Sequence, residues 1–299
     1  MGNMGLLIGN GFTIDFATKL GLNPSEPFSH FNTDQITYNH FINYIPAIKN
    51  ELFKLAHTEQ NDYAAIETFM KSKQYNTDKD SQLRRFLAIS YSIFQMKAEN
   101  QHIHDWKWTK WFHQNKDKLE LAISFNYELL LETALKAAGI PHYRTGTTEP
   151  EQGIPVIKPH GSIDFDIVDE PATITRWNEP TRLHDTGHVH TVPKSEWLDP
   201  RMEADIIPPR KNNYQRSLRW VKEGIRTFKS RASRIDTFII VGLSYSLADR
   251  EEVDQYLDCL HEDTRVIVVD PQPSEDLLRK IVSLRLKLIT PRTTSGLPW

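Results

Sequence analysis

The sequence predicts an α/β fold built on a doubly wound parallel sheet of about six strands, and three observations carry that prediction. The chain opens with a short apolar run, Met4 to Ile8, that meets a glycine turn, Gly9-Asn10-Gly11, and then a helix start. Later runs at 235–241 and 265–269 are β-branched and continuously apolar, as strands buried on both faces are. Between such runs lie segments with apolar residues at three and four spacing, and strands that alternate with helices make a parallel sheet.

Taken in order, the first strand–turn–helix unit is followed by a block of helices. Residues from about 35 to 57, 61 to 73, 81 to 99 and 104 to 118 keep the helical period, as in Phe41, Ile45, Ile48, Leu52 and Leu55. This defines a helical insertion over about 24–118. Strands are expected again at 119–125 and 154–158, with a shorter one at 205–207 before Pro208-Pro209, and 285–290 closes the sheet. Helices are expected at 127–138, 213–231, 249–260 and 274–284. Residues 164–204, rich in Pro, Thr, Asp, His and Trp, read as a second, irregular or β-rich insertion. The chain 1–299 thus reads as one domain with two insertions, without internal repeats, and with residues 291–299 loosely held.

Composition narrows the function classes. The 299 residues are 39% hydrophobic and 25% charged, an ordinary globular balance that excludes collagen-like, coiled-coil and wholly disordered chains. A single cysteine, Cys259, excludes a disulfide framework and a multi-cysteine zinc site. The formal net charge of −3 carries no whole-chain signal for nucleic acid or membrane. No apolar run reaches the length of a membrane span. The first residues lack the basic and apolar regions of a signal peptide, and Leu6 stands where a myristoylation motif wants Ser or Thr. The expected location is cytoplasmic.

In an open parallel sheet, ligands bind beyond the carboxyl ends of the strands. The first such turn, Gly9-Asn10-Gly11, suits close approach of a pyrophosphate to backbone N–H groups at a helix N-terminus, or plain turn chemistry. The second, Ser124-Phe125-Asn126-Tyr127-Glu128, places Asn126 either as a helix cap or as a site amide. In the third, Lys158-Pro159-His160-Gly161-Ser162, His160 is held by a proline, and its imidazole suits general-base work near neutral pH. The fourth, Gly242-Leu243-Ser244-Tyr245-Ser246 followed by Asp249, suits a phosphate or a ribose. Asp270 closes the next strand, where a carboxylate accepts ribose hydroxyls. Polar groups on so many turns of one sheet edge are harder to explain as turn chemistry than any one alone.

The ordered set of Gly9 to Thr13, Phe125 to Glu128, Lys158 to Ser162, Pro208-Pro209 and Gly242 to Ser246 resembles the sirtuin superfamily. It is more closely similar to the bacterial sirtuin-like NAD hydrolases of anti-phage defence. The resemblance implies a Rossmann-like core that binds NAD as substrate, with the pyrophosphate over residues 9–13. It implies Asn126 and His160 as the catalytic pair: Asn126 positions the nicotinamide ribose and water, and His160 acts as base. Glu128 stands where the family often has an acid near the nicotinamide amide. With Gly9, Asn10, Gly11, Phe12, Asp15, Gly242, Ser244 and Asp270 it makes up the expected cofactor-binding set. Two departures matter. The zinc-binding cysteine pairs of deacylating sirtuins are missing, and the first turn is Gly-Asn-Gly rather than Gly-Ala-Gly, although Ile14-Asp15-Phe16 partly echoes the deacylase loop. The implied activity is therefore NAD glycohydrolysis, as in an abortive-infection effector that drains NAD. Protein deacylation is one alternative and a non-catalytic NAD or ADP-ribose sensor the other. Implied partners are further copies of the chain, or an activating subunit of hexameric ATPase or Argonaute-like type.

Three other features have duller readings beside them. From Arg210 to Arg234 there are nine Lys or Arg and one acid, Glu223, which fits the solvated face of a helix or a docking surface for an acidic partner or nucleic acid. His184, Asp185, His188 and His190 match no zinc spacing, so no metal is expected. Trp106, Trp108 and Trp111 fit core packing or an oligomer contact rather than base stacking.

Overall fold

The structure is a computed structural model that describes residues 2–31, 43–99, 101–167, 189–199, 206–209, 218–291 and 296–298. Its main sheet has seven parallel strands: β1 (Met4–Ile8), β2 (Leu119–Ser124), β3 (His142–Arg144), β4 (Ile154–Ile157), β7 (Thr237–Val241), β8 (Arg265–Val269) and β9 (Lys287–Ile289). The spatial order is β3-β4-β2-β1-β7-β8-β9. The chain winds outward from β1 in one direction and then, from β7, in the other, so the order reverses between these two strands. That reversal is where a doubly wound sheet opens a ligand crevice. The Rossmann-like fold class is as the sequence predicts.

The seventh strand is the one the periodicity misses. β3 is three residues long at the sheet edge, too short for a period to register, and it pairs His142 with Ile154 and Arg144 with Val156. The strand expected at 205–207 is not part of this sheet. Ile206 makes only an isolated antiparallel bridge to Gly161, and residue 205 lies outside the described residues. This short segment instead buttresses two turns: Ile207 N–H donates to the His160 carbonyl at 2.9 Å, and its own carbonyl accepts the Tyr127 hydroxyl at 2.7 Å.

Alternation along the strands splits the core in two. Leu6 and Ile8 face α1 (Asn10–Ala17), α5 (Lys107–Asn115) and α6 (Leu130–Ala137), among them Phe12, Trp108, Phe112, Leu131 and Leu135. Leu7, Leu121 and Ile123 face the other layer, α7 (Arg219–Arg231), α8 (Arg250–Leu257) and α9 (Glu275–Ser283), through Phe228, Val253, Tyr256, Leu277 and Ile281. Period-2 burial on both faces is what a doubly covered sheet requires.

The helical block has its own core. Helices α2 (Lys49–Thr58), α3 (Asp62–Met70) and α4 (Thr77–Glu99) bury Leu52, Ile66, Phe69, Leu83, Phe86 and Leu87. The same cluster takes in Tyr127, Leu129 and Ile163, which belong to the turns after β2 and β4. The block therefore packs against the sheet edge where ligands are expected. Helix α4 starts earlier than its apolar period suggests because Asn76 caps it, its side-chain oxygen accepting from Lys79 N at 3.0 Å. Residues 32–42, on which part of the first expected helix falls, lie outside the described residues.

Within 164–204, β5 (Phe165–Ile167) pairs antiparallel with β6 (Val189–Thr191), and a 3-10 helix follows at Lys194–Glu196. Phe165, Val189 and Ile207 pack on Leu218, Trp220 and Val221 of the α7 region. His184, Asp185 and His188 lie outside the described residues, as do 210–217 of the basic run. Among the described residues no three His, Cys, Asp or Glu side chains gather as metal ligands would, and no helix is long and apolar enough to cross a membrane. Trp108 and Trp111 are core residues of α5, and the Phe12 ring lies 4.6 Å from Trp106 and 5.4 Å from Trp108.

Candidate active site

The two turns at the reversal touch each other. Gly9 N–H donates to the Val241 carbonyl and Gly11 N–H to the Gly242 carbonyl, both at 2.9 Å. A Cβ on Gly11 would lie 2.5 Å from Gly242 Cα, and Gly242 itself sits at φ +55°. Side chains at these positions would drive the β1 and β7 turns apart, which is why the sequence places glycines there.

Asn126, at the end of β2, ties into this turn. Its amide Nδ2 donates to the Gly9 carbonyl at 3.1 Å and to Thr13 Oγ1 at 2.9 Å. The Thr13 hydroxyl in turn donates to the Glu128 carboxylate, which also accepts from Leu130 N at 3.0 Å. Glu128 is fully enclosed, and burial raises its pKa above the usual carboxylate value, against Lys158, Thr13 and the Leu130 amide, which work to lower it. Lys158 completes the network, its Nζ donating to the Glu128 carbonyl at 2.7 Å and lying 3.4 Å from Glu132.

His160 comes from the turn after β4 and reaches across the sheet edge to α8. Its Nε2 lies 2.6 Å from Glu252 Oε2 and 3.7 Å from Asp249 Oδ1. Burial alone would discharge this imidazole. Glu252, with help from Asp249 and a backbone hydrogen bond to Phe125, outweighs that and raises its pKa. The ring packs edge-on against Phe125, centroids 4.9 Å apart. Asp249 is raised in turn, first by its own desolvation, with Glu252 adding to it and His160 opposing. Such a short charge-assisted pair, with His160 and Glu252 at 5% and 3% exposure, is strong only because both members are kept. From α3 and α4, the Tyr63 and Tyr91 hydroxyls meet at 2.6 Å. Burial pushes Tyr63 up to about 12, with Asp249 and Glu128 contributing, so the helical block reaches the same electrostatic neighbourhood.

The structure thus brings Gly9, Gly11, Asn126, Glu128 and Gly242 into one contact network and sets His160 beside it, on Phe125. The other expected residues are placed differently. The Phe12 side chain is buried in the aromatic core, and Asp15 binds Lys107 at 2.5 Å and the Trp106 indole at 2.9 Å. Asn10 donates to Ser25 Oγ at 2.7 Å, Ser244 is exposed, and Asp270 accepts from Gln272 N at 2.8 Å. Glu252 and Thr13 are functional candidates that the sequence reading did not assign. Glu252 looks there like an acid in the first turn of a helix, an ordinary dipole partner, and its contact with His160 spans 92 positions.

No protein-family model matches the chain, and no curated protein matches it. Among solved structures, it is similar to a Sir2 homolog–NAD complex at 13% identity and TM-score 0.39, over 98% of this chain and 85% of that one. It is also similar to Sir2Tm bound to a propionylated peptide, at 12% identity and TM-score 0.37 over 98% and 89%. A third is Sir2 bound to acetylated peptide, at 13% identity and TM-score 0.35 over 98% and 89%. At such scores the likeness is distant.

Proposed function

We propose that the chain is an NAD glycohydrolase that breaks the nicotinamide–ribose bond at the edge of the sheet where β4, β2, β1 and β7 end. The observation that carries this reading is the meeting of four turns: Asn126 bonds to the first turn through Gly9, and His160 bonds to Glu252 beyond the fourth, with Asp249 3.7 Å away. The dinucleotide would lie over residues 9–13 and 242–246, with Asp270 toward a ribose. The Asn126 amide nitrogen is already spent on Gly9 and Thr13, so its carbonyl oxygen is the atom offered to the ribose or to water.

The chemistry suits the charges. As C1′–N breaks, its electron pair leaves with neutral nicotinamide and the sugar becomes cationic. Water bonds to C1′, and its proton passes to the paired His160 and Glu252 and on to solvent. Held water turns a bimolecular step into a local one, lowering the barrier by up to ~7–11 kcal/mol, and a positioned base adds about 10²–10⁴-fold. The nearby carboxylates favour the cationic sugar. In a cell, sustained turnover would deplete NAD, the outcome expected of an antiviral effector working in an oligomer or with an activating subunit.

The test is incubation of the full chain with NAD and chromatography of the products. Free nicotinamide with ADP-ribose or its cyclic form is expected. Nicotinamide formed only when an acetyl-lysine peptide is present would replace hydrolysis with deacylation. Stoichiometric NAD binding without any product would leave a sensor.

A further inference from the structure

Glu252 has one carboxylate oxygen committed and one without a partner. Oε2 holds His160 at 2.6 Å, whereas Oε1 is buried and accepts no hydrogen bond among the described residues. The side chain is 3% exposed. A desolvated carboxylate oxygen left unsatisfied is costly, and each one in a native structure calls for an explanation. Its place is specific: Glu252 lies in the first turn of α8, directly after the turn that β7 contributes to the order reversal.

The His160 Nε2 is engaged by Glu252, and a backbone hydrogen bond with Phe125 helps keep the ring charged. A ring so held is a poor lone acceptor for a further proton. The lone pairs of this cluster that can take a proton are on its carboxylates, and Glu252 Oε1 is the one buried without a partner.

We propose that Glu252 is a catalytic residue of this site, its Oε1 accepting a hydroxyl of the ligand, either a ribose hydroxyl or the attacking water, while His160 holds the carboxylate in place. The assignment rests on the NAD-cleaving reading and deepens it. In the hydrolytic step the water O–H breaks as oxygen bonds to C1′, the proton goes to Glu252 Oε1, and the C1′–N electron pair leaves on nicotinamide. The protonated carboxyl then returns its proton to solvent. The titratable groups around it are His160, Asp249 from the preceding turn, Tyr256 from its own helix, and Tyr63 from α3 beyond Asp249.

The experiment compares the full-length native chain with Glu252→Gln and Glu252→Asp. Three readouts are followed: nicotinamide release against pH, binding of ADP-ribose by calorimetry, and the His160 imidazole titration by NMR without ligand. Glu252→Gln is expected to cut kcat at least 100-fold, to change the pH profile of nicotinamide release, and to lower the His160 midpoint. Glu252→Asp recovers part of the rate. Tenfold or greater loss of ADP-ribose affinity assigns Oε1 to a ribose hydroxyl, and unchanged affinity with lost kcat assigns it to water. A folded Glu252→Gln with native rate, pH profile and affinity overturns the proposal while leaving NAD cleavage intact. If the native chain binds ADP-ribose but never releases nicotinamide, the hydrolase reading fails, and the affinity comparison alone decides the ribose contact. Neither binding nor turnover by the native chain overturns both.

Discussion

At the scale of single residues, the site rests on two side chains with different jobs. Asn126 joins two turns through Gly9 and Thr13, and His160 joins the β4 turn to α8 through Glu252. Asn126→Ala and His160→Ala are each expected to remove most nicotinamide release, by about 10²-fold or more, as loss of a positioned acid–base or orienting group does. The measurement is kcat of each variant beside its circular dichroism spectrum. Near-native turnover by either one removes that residue from the mechanism. His160→Ala also strands the buried Glu252 carboxylate, so it should destabilise the chain more than Asn126→Ala does.

At the scale of elements, the contact between the β1 and β7 turns decides whether the four turns meet at all. Gly11→Ala would put a Cβ 2.5 Å from Gly242 Cα, and the obstacle is backbone, which cannot swing aside as a side chain can. The expected cost is about 1–3 kcal/mol from overpacking. Because Gly9 carries the acceptor of Asn126, the same change should weaken NAD binding as well. Denaturant unfolding and calorimetry on one preparation check both. Native stability with native affinity would show that the turns tolerate separation. The sequence marked these glycines as a turn but not their partner, since contact between residues 11 and 242 is invisible to any local pattern.

At the scale of the whole molecule, two buried histidines pull stability in opposite directions with pH. His30 ties the turn at 27–31 to α4 through Ser90, and to Asn23 at 2.9 Å. Its burial, and to a lesser degree Lys97, push its pKa down to about 4 despite those backbone contacts. A lowered histidine leaves the unfolded chain the better proton binder between its ordinary value and the lowered one. The stability it contributes is therefore present above about pH 6.5 and lost as pH falls toward 4, roughly 3 kcal/mol in full. His160 is raised, so its contribution is present below the ordinary histidine value and lost as pH rises through its folded pKa. Thermal midpoints across pH should thus fall on both sides. In His30→Gln the slope between pH 6.5 and 4 should flatten, and an unchanged slope would assign the acid loss to other groups.

Much of this architecture was legible in advance because it is written in local periodicity. The continuous apolar runs at β1, β7 and β8 marked strands covered on both faces, and the three-and-four spacing of the helical block survived as its own core around Leu52, Phe69 and Phe86. Residue types at strand ends also marked Asn126 and His160 as candidates before any geometry. What the sequence could not carry was pairing at a distance. The edge strand β3 is too short to show a period, and residues 206–207 proved to be a brace between turns because their bonds go to His160 and Tyr127. Phe12 and Asp15, adjacent in the chain to the glycine turn, point into the aromatic core and to Lys107 because a helix rotates successive side chains onto different faces. Glu252 became a partner of His160 only because the strand order reverses between β1 and β7, folding a helix from late in the chain back over the same edge. Local sequence sets which elements form, through burial periodicity and turn sterics; which side chains share a charge is set by the crossing of those elements in space.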